Sequence, residues 1–352
     1  MQNARAKPAP AWLSIVIRSI TQSRIPVTLP PFELLRPTTL NAALRALEDY
    51  GPDAQVVAGG TDLIPSMKQR LFTPRVLVDL KRLRDLDYLR SESDGALLLG
   101  ALTKISTLVN SPLLARQFPV LHQAAQSVAS PLLRNLGTLG GNLCLDTRCL
   151  YYNQSAFWRE ALGYCLKKDG TVCHVAPGGR ACWAVFSGDT APALLALEAR
   201  VHLASPRGTR EVPLAEFYVN EGAIRIAKDR DELVTAVRIP PSSAGWDGVY
   251  KKYRVRQSID YPLAGVAAVM KKDADGTCRE ARLALTAVNP APKLVDVHRL
   301  TGRRYDPNLV EEVAHEAIRT GKPLRTSAST PEYRRHILRT FVRRALQELW
   351  NR

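Results

Sequence analysis

The sequence contains no apolar stretch close to the roughly 18 uncharged residues that a membrane-spanning helix requires. The nearest candidate, residues 11–20, is short and carries Arg18. No small-residue cleavage site follows it, so it does not fit a secretion signal. We therefore predict a cytoplasmic chain without a membrane span, and we expect residues 1–28 to form an N-terminal arm.

The sequence also lacks a basic block interleaved with aromatic residues, a pattern that would favour nucleic-acid binding. Its 49 Lys and Arg residues outnumber its 33 Asp and Glu residues, for a formal net charge of +16, but the basic residues are scattered. Their density rises near the C-terminus, where we expect the solvated face of a helix that carries Arg334, Arg335, Arg339, Arg343 and Arg344. The charge suits an acidic partner protein at least as well as nucleic acid, and we predict no nucleic-acid partner.

No G-x-G-x-x-G motif follows a predicted strand, so the usual Rossmann signature is missing. Two Gly-Gly motifs are present instead, AGGTD at residues 58–62 and TLGGN at residues 138–142. Glycine permits positive φ and a close approach to backbone N–H groups, and successive N–H groups can form a concave anion site. Two such turns could hold the two phosphates of a dinucleotide, with further bonds from Thr61, Thr138 and Asn142. Ordinary tight turns are the alternative interpretation.

Cysteine is scarce, and neither the close C-x-x-C pairs of structural zinc sites nor the C-x-x-C-x-x-C run of ferredoxins occurs. Five of the six cysteines are nevertheless clustered, namely Cys144, Cys149, Cys165, Cys173 and Cys182. Without a secretion signal, such a cluster favours metal ligands over disulfides. Four thiolates can bind one zinc ion or one cubane iron–sulfur cluster, and the spacing does not distinguish them. Free thiols, a disulfide and a role for His174 as a ligand are further alternatives.

The 352 residues fit two or three domains, and the pattern of secondary structure changes along them. Residues 32–140 alternate short apolar strands with helices, as in FELLRPTTLNAALRALEDYG, which predicts an α/β arrangement. From near Ser242 the sequence predicts strands joined by turns such as DADG, followed by helices in NLVEEVAHEAI and YRRHILRTFVRRALQEL. We therefore predict that a second domain begins near Ser242.

Three motifs, AGGTDLIP, TLGGNL and GDTAPALLAL, resemble those of the FAD-binding medium subunits of the molybdenum hydroxylase family, which includes xanthine dehydrogenase and carbon monoxide dehydrogenase. The resemblance implies an α+β fold with a two-lobed, PCMH-like FAD-binding domain over residues 29–241. A C-terminal domain of antiparallel sheet and helices would follow over residues 242–352. The implied partners are a large molybdenum-cofactor subunit and a small [2Fe-2S] subunit, assembled as a dimer of heterotrimers.

The resemblance also implies which residues bind FAD. The pyrophosphate would lie on the two Gly-Gly turns, formed by Ala58, Gly59, Gly60, Thr61 and Asp62 and by Thr138, Gly140, Gly141 and Asn142. Asp189, in SGDTAP, matches an acidic residue that contacts the cofactor. Lys252 matches a lysine near the flavin, and Lys251 is adjacent to it.

The region of residues 144–186 is an insert relative to ordinary members of the family. Its segment DTRCLYYNQSAFWREALGYCLKKDGTVCHV resembles the inserted loop of the 4-hydroxybenzoyl-CoA reductase branch, which holds a [4Fe-4S] cluster. The resemblance therefore implies a cluster bound by Cys149, Cys165, Cys173 and Cys182. Cys144 is expected to lie beside the flavin and to bind no metal.

The implied function is electron transfer. A ferredoxin-like donor would reduce the cluster, the cluster would reduce FAD, and electrons would reach molybdenum through the [2Fe-2S] centres. At molybdenum, 4-hydroxybenzoyl-CoA would lose its phenolic hydroxyl to give benzoyl-CoA, a step of aromatic degradation, and this chain would carry no catalytic residue. One alternative is the FAD subunit of a related hydroxylase for another aromatic or heterocyclic substrate. Another is a nucleic-acid-binding protein whose cysteine loop holds zinc.

Overall fold

A computed structural model describes residues 28–352, which form three β-sheets and the helices packed around them. The predicted N-terminal arm, residues 1–28, lies outside the described residues except for its last position. Within residues 28–352, no helix is both long and apolar enough to cross a membrane.

A three-stranded parallel sheet begins the described chain, in the order β1–β3–β2. Its strands are β1 (Glu33–Leu35), β2 (Ala54–Val57) and β3 (Val76–Asp79), and the crossover helices are α1 (Leu40–Tyr50) and α2 (Leu63–Lys68). Helix α1 begins where the Thr39 side chain accepts a bond from the amide of Ala42, and it ends at Gly51, whose φ is 48°. The predicted alternation of strand and helix is confirmed in this first lobe.

A five-stranded antiparallel sheet supports the second lobe, in the order β4–β5–β8–β6–β7. Its strands are β4 (Leu89–Ser91), β5 (Leu97–Gly100), β6 (Arg200–Ser205), β7 (Gly208–Pro213) and β8 (Leu233–Ile239). The chain leaves this sheet after β5 and returns at β6. The excursion holds the second Gly-Gly motif, the cysteine insert and the helices α3 (Ile105–Val109), α4 (Pro112–Gln117), α5 (Pro119–Ser127), α6 (Pro131–Arg134), α7 (Leu139–Leu143), α8 (Ala156–Ala161) and α9 (Thr190–Ala196). Helix α10 (Leu214–Phe217) follows β7.

The C-terminal part is a four-stranded antiparallel sheet covered by two helices, in the strand order β12–β11–β10–β9. Its elements are β9 (Asp247–Tyr253), β10 (Ala264–Lys272), β11 (Cys278–Thr286), β12 (Lys293–Val295), α11 (Pro307–Thr320) and α12 (Pro331–Trp350). The predicted turn at DADG joins β10 to β11, with Gly276 at a φ of 83°. The α+β fold class is confirmed.

Strand β10 is buried on both faces because its alternate residues pack into two different cores. Val266, Ala268 and Met270 pack with the apolar residues of α11 and α12. Ala267 and Val269 pack into the core that also contains residues of α5 and α9. The neighbouring strand β9 packs against α5, and this contact places Lys252 near the start of α9.

Arg334 is an exception to the predicted solvated face of the last helix, since it is fully buried. Its Nε donates to the carbonyl of Leu263 at 2.7 Å, and its Nη1 donates to the carbonyl of Leu324 at 2.9 Å and to Thr326 Oγ1 at 3.2 Å. Its Nη2 donates to the carbonyl of Ala287. Burial lowers the pKa of Arg334 to about 10, so the guanidinium stays charged at neutral pH. It joins three separate segments of the C-terminal part.

We expect Arg334→Met to lower the free energy of unfolding by about 3 kcal/mol, because buried carbonyls would lose their donors. Urea denaturation followed by circular dichroism measures the change. Arg335→Met is the matched control, since that side chain is 41% exposed and has one ion pair, with Glu332 at 3.7 Å. The control is expected to stay within about 0.5 kcal/mol of the wild type. Equal stability of the two variants would contradict a structural role for Arg334.

Candidate functional site

The first Gly-Gly motif forms a tight turn between β2 and α2. Gly60 has a φ of 73°, which favours glycine. A Cβ at Gly59 would lie 2.7 Å from the carbonyl carbon of Leu136 and closer still to its oxygen, so only glycine fits. The Thr61 hydroxyl lies 3.8 Å from the position that a Cβ would take at Gly137. The turn therefore packs directly on the backbone that precedes the second motif, and the two motifs lie side by side.

Among residues 28–352, the backbone amides of the first turn have no protein acceptor. Within the described residues, no hydrogen bond is donated by the N–H groups of Gly59, Gly60, Thr61 and Asp62. All four residues are half-buried, so these amides are accessible from outside the protein. Amides in this state are rare unless they meet solvent or a ligand. The turn therefore offers a row of free donors, as an anion site requires.

The second motif differs, because its amides donate hydrogen bonds to acceptors within the protein. It forms the short helix α7, whose cap is Thr138: the hydroxyl oxygen accepts from the amide of Gly141 at 3.2 Å. The amide of Gly140 donates to the carbonyl of Ala101 at 2.8 Å, and that of Asn142 donates to the carbonyl of Thr138 at 2.9 Å. A Cβ at Gly140 would lie 2.9 Å from that of Ala101. Close packing explains this glycine, and a second row of free amides is absent here.

Asn142 links the second motif to the region of Asp189. Its Oδ1 accepts from the amide of Thr190 at 3.2 Å and from the Thr190 hydroxyl at 2.7 Å. Thr190 is the first residue of α9, so Asp189 directly precedes this contact. The structure thus brings together three regions that the sequence assigned to one site.

Asp189 and Lys252 form a buried ion pair, with 2.9 Å between Oδ2 and Nζ and both side chains 5% exposed. The other carboxylate oxygen accepts from the Tyr250 hydroxyl at 2.8 Å and from the Ser127 hydroxyl at 3.3 Å. Burial raises the pKa of Asp189 above its usual range, and the Lys252 ammonium opposes that shift. Lys251 points away and pairs with Glu348, so Lys252 is the lysine on the side of the site.

Asp62 in the first turn has two partners that sequence reasoning missed, Arg148 and Tyr261. The Arg148 guanidinium donates to Asp62 Oδ1 and to the Tyr261 hydroxyl, and it lies 4.1 Å from the centre of the Tyr261 ring. The Tyr261 hydroxyl donates to Asp62 Oδ1 at 2.9 Å. Arg148 directly precedes Cys149, so the glycine turn and the cysteine insert are in direct contact. The position of Arg148 next to Cys149 is the feature of the sequence that could have indicated this contact.

The four predicted metal ligands, Cys149, Cys165, Cys173 and Cys182, line one cavity. All four are buried, and none of the six cysteines of the chain is in a disulfide. Cys144 does not line the cavity. His174 does line it, and its Nε2 lies 2.5 Å from the carbonyl of Tyr164.

The cysteine cavity is lined by four sulfur donors. In the part of the chain that the structure describes, no set of three or more His, Cys, Asp or Glu side chains is arranged to hold a metal ion. Four thiols around one cavity are the donor set of a cubane cluster and equally of one zinc ion. Burial raises the pKa of Cys149 to about 11 and that of Cys182 to about 12, so thiolates there need a bound cation. The residues fit the predicted cluster, although their arrangement does not show one.

A buried lysine completes the wall of the cysteine cavity. Lys167 lines it and donates to Asp146 Oδ1 at 2.8 Å, to the carbonyl of Thr147 at 2.8 Å and to its hydroxyl at 2.5 Å. The ammonium lies 4.2 Å from the centre of the Tyr152 ring. The amide of Ala184 also donates to Cys182 Sγ at 3.4 Å, the kind of bond that stabilises a ligating sulfur.

Two family models match the chain. Residues 30–242 match the FAD-binding domain in molybdopterin dehydrogenase, and residues 249–349 match the C-terminal domain of the CO dehydrogenase flavoprotein. The carbon monoxide dehydrogenase medium chain of Hydrogenophaga pseudoflava is 29% identical over 92% of this chain and 98% of that protein. The aldehyde oxidoreductase FAD-binding subunit PaoB of Escherichia coli is 36% identical over 72% of this chain and 80% of that protein.

Solved structures agree with the family models. The structure of the Hydrogenophaga pseudoflava carbon monoxide dehydrogenase contains a chain that aligns with a TM-score of 0.74 and 28% identity, over 92% of this chain and 99% of that one. Fold and site thus define an FAD-binding oxidoreductase subunit. The chain belongs to the family of FAD-binding medium subunits of the molybdenum hydroxylases, which confirms the family resemblance found in the sequence.

We expect Gly59→Ala to reduce the flavin content several-fold, because its Cβ would displace the backbone of Leu136 and distort the turn. The flavin-to-protein ratio after gel filtration measures this change. Gly137→Ala is the control, since its Cβ would lie 3.3 Å from the nearest atom, the Leu133 carbonyl oxygen, and needs only a small adjustment. Full flavin retention in Gly59→Ala would exclude the first turn from the flavin site.

We expect Lys252→Met to lose stability as pH rises. Without the ammonium, burial raises the pKa of Asp189 further above 3.8, and the folded carboxyl binds its proton more tightly than the unfolded one. The free energy of unfolding then falls as pH rises from 3.8 through the raised pKa, because the native state must release that proton. At about pH 7 we expect a loss of roughly 3 kcal/mol, and much less near pH 4.

Urea denaturation at a series of pH values measures this loss. Lys251→Met is the matched control, because its side chain is 29% exposed and pairs at the surface. A difference between Lys252→Met and the wild type that stays constant with pH would rule out Asp189 as its source.

Proposed function

We propose that this chain is the FAD- and [4Fe-4S]-carrying medium subunit of a molybdenum-containing reductase. It would pass electrons from a ferredoxin-like donor towards the molybdenum subunit, for the reductive dehydroxylation of 4-hydroxybenzoyl-CoA to benzoyl-CoA in the cytoplasm. The observation that carries the proposal is the cavity of four buried cysteines, in an insert that contacts the glycine turn of an FAD domain.

The bound cofactors supply the redox chemistry, and the chain positions them. The free amides of the first turn would bind the flavin pyrophosphate, with the second motif packed behind them. The proposed FAD residues remain those given above: Ala58, Gly59, Gly60, Thr61, Asp62, Thr138, Gly140, Gly141, Asn142, Asp189 and Lys252. The thiolates of Cys149, Cys165, Cys173 and Cys182 would hold the cluster, and burial of these side chains keeps water away from it.

The proposal includes partners and a division into domains. The name "medium chain" of the carbon monoxide dehydrogenase relative supports a large molybdenum subunit and a small [2Fe-2S] subunit, which we propose form a dimer of heterotrimers with this chain. The formal net charge of +16 supports an acidic ferredoxin-like donor. Family models that cover residues 30–242 and 249–349 support domains at 29–241 and 242–352, with the insert at 144–186.

A second candidate is the FAD subunit of a related hydroxylase with another aromatic or heterocyclic substrate. One relative supports this second candidate. It is named as a nicotinate dehydrogenase FAD-subunit of Eubacterium barkeri, and it is 31% identical over 70% of this chain and 71% of that protein. The two candidates differ in whether the cysteine insert would hold an iron–sulfur cluster, so the iron content of this chain distinguishes them.

The test is iron and flavin analysis of the complex purified anaerobically with its partner subunits. We expect Cys165→Ser to lower the iron content by about four per copy of this chain while FAD stays bound in the presence of excess FAD. Cys278→Ser is the control, because Cys278 is buried in the C-terminal core, away from the cysteine cavity. Unchanged iron in Cys165→Ser would leave a flavoprotein with a thiol loop, and the assignment to benzoyl-CoA formation would be dropped.

A further inference from the structure

The cysteine insert is closed at its base by one pair of residues. The amide of Arg148 donates to the carbonyl of Val185 at 2.7 Å, and the amide of Val185 donates back to the carbonyl of Arg148 at 2.8 Å. The four cysteines all lie between these two positions in the chain. The backbone of Arg148 is thus part of the insert, directly before Cys149.

The side chain of Arg148 leaves the insert and reaches the first glycine turn. Its Nη2 donates both to Asp62 Oδ1 and to the Tyr261 hydroxyl, while its Nε is buried and has no partner among the described residues. Asp62 bears a negative charge beside the free amides proposed to hold phosphate. Its carboxylate would repel that phosphate unless a cation offsets it, and Arg148 is its ion-pair partner.

Two further contacts of the insert lie away from the turn. Arg159 donates to the carbonyls of Gln69 and Arg70, beyond the end of α2. The amide of Leu150 donates to the carbonyl of Thr326 in the C-terminal part. These bonds hold the insert in place, whereas the bond from Arg148 joins it to a proposed FAD residue.

We propose that Arg148 is a positioning residue that couples FAD binding to the occupancy of the cysteine loop. A filled loop fixes the backbone of Arg148 and so holds its guanidinium against Asp62. A bound flavin fixes the turn and, through Asp62 and Arg148, orders the residue next to Cys149. By linkage the coupling is reciprocal, so each cofactor strengthens binding of the other by the same factor. This inference rests on the proposed function.

The experiment is a thermodynamic cycle on the full complex, stripped of FAD and titrated with FAD while flavin fluorescence is followed. The four proteins are the wild type, Cys165→Ser, Arg148→Met and the double variant. We expect Cys165→Ser to weaken FAD binding by about tenfold in the wild-type background. In the Arg148→Met background, where binding is already weaker, we expect Cys165→Ser to add nothing.

Arg159→Met serves as the matched control, since it removes another guanidinium of the insert without touching the turn. In that background the effect of Cys165→Ser on FAD binding is expected to persist. Circular dichroism of each variant establishes that it is folded, and Arg148→Lys, which keeps the charge, is expected to restore part of the coupling.

Two results would overturn the inference. The first is that Cys165→Ser weakens FAD binding equally with and without Arg148. The second is that Cys165→Ser leaves FAD binding unchanged although the wild type contains the extra iron. The second result would leave the proposed function intact. A wild type without the extra iron would instead reject the proposed function, and the coupling with it.

Discussion

The close contact between the first glycine turn and the backbone at residues 136–137 determines how the rest of the site is arranged. Because Gly59 has no side chain, the parallel-sheet lobe can approach the helical excursion of the second lobe without an intervening Cβ. As a result, the free amides of the first turn lie next to the segment that leads into α7. Asp62 then reaches Arg148, and the cysteine insert lies against the same turn. The absence of a side chain at Gly59 therefore permits the contact between the two lobes.

The C-terminal part contributes side chains to the candidate site. Lys252 comes from β9 and Tyr261 from the segment between β9 and β10, and both bind carboxylates of the first two lobes. Strand β10 packs into two cores at once, so its sheet shares apolar surface with α5 and α9. Arg334 holds the carbonyl of Leu263, close in sequence to Tyr261. The candidate site is thus stabilised by residues from all three parts of the described chain.

Sequence patterns predicted the fold well, because it depends on local features, and the regions that they assigned to one site lie together in the structure. The Thr-Thr start and the glycine end of α1 are short-range signals, and Gly59 and Gly60 are specified by backbone geometry. The missed features depend on residues distant in the chain. The amides of the second motif are used because Ala101 and Thr103 lie next to them. Likewise, Arg334 is buried because carbonyls from three separate segments surround it, which no helical periodicity reveals.

The backbone pairing of Arg148 with Val185 affects how the rest of the chain tolerates changes in the segment between them. A segment whose two ends are bonded neighbours can be lengthened or deleted without moving the chain outside it, and loop length adds little entropic cost. The segment between Arg148 and Val185 can therefore vary in length while the strands and helices outside it keep their places.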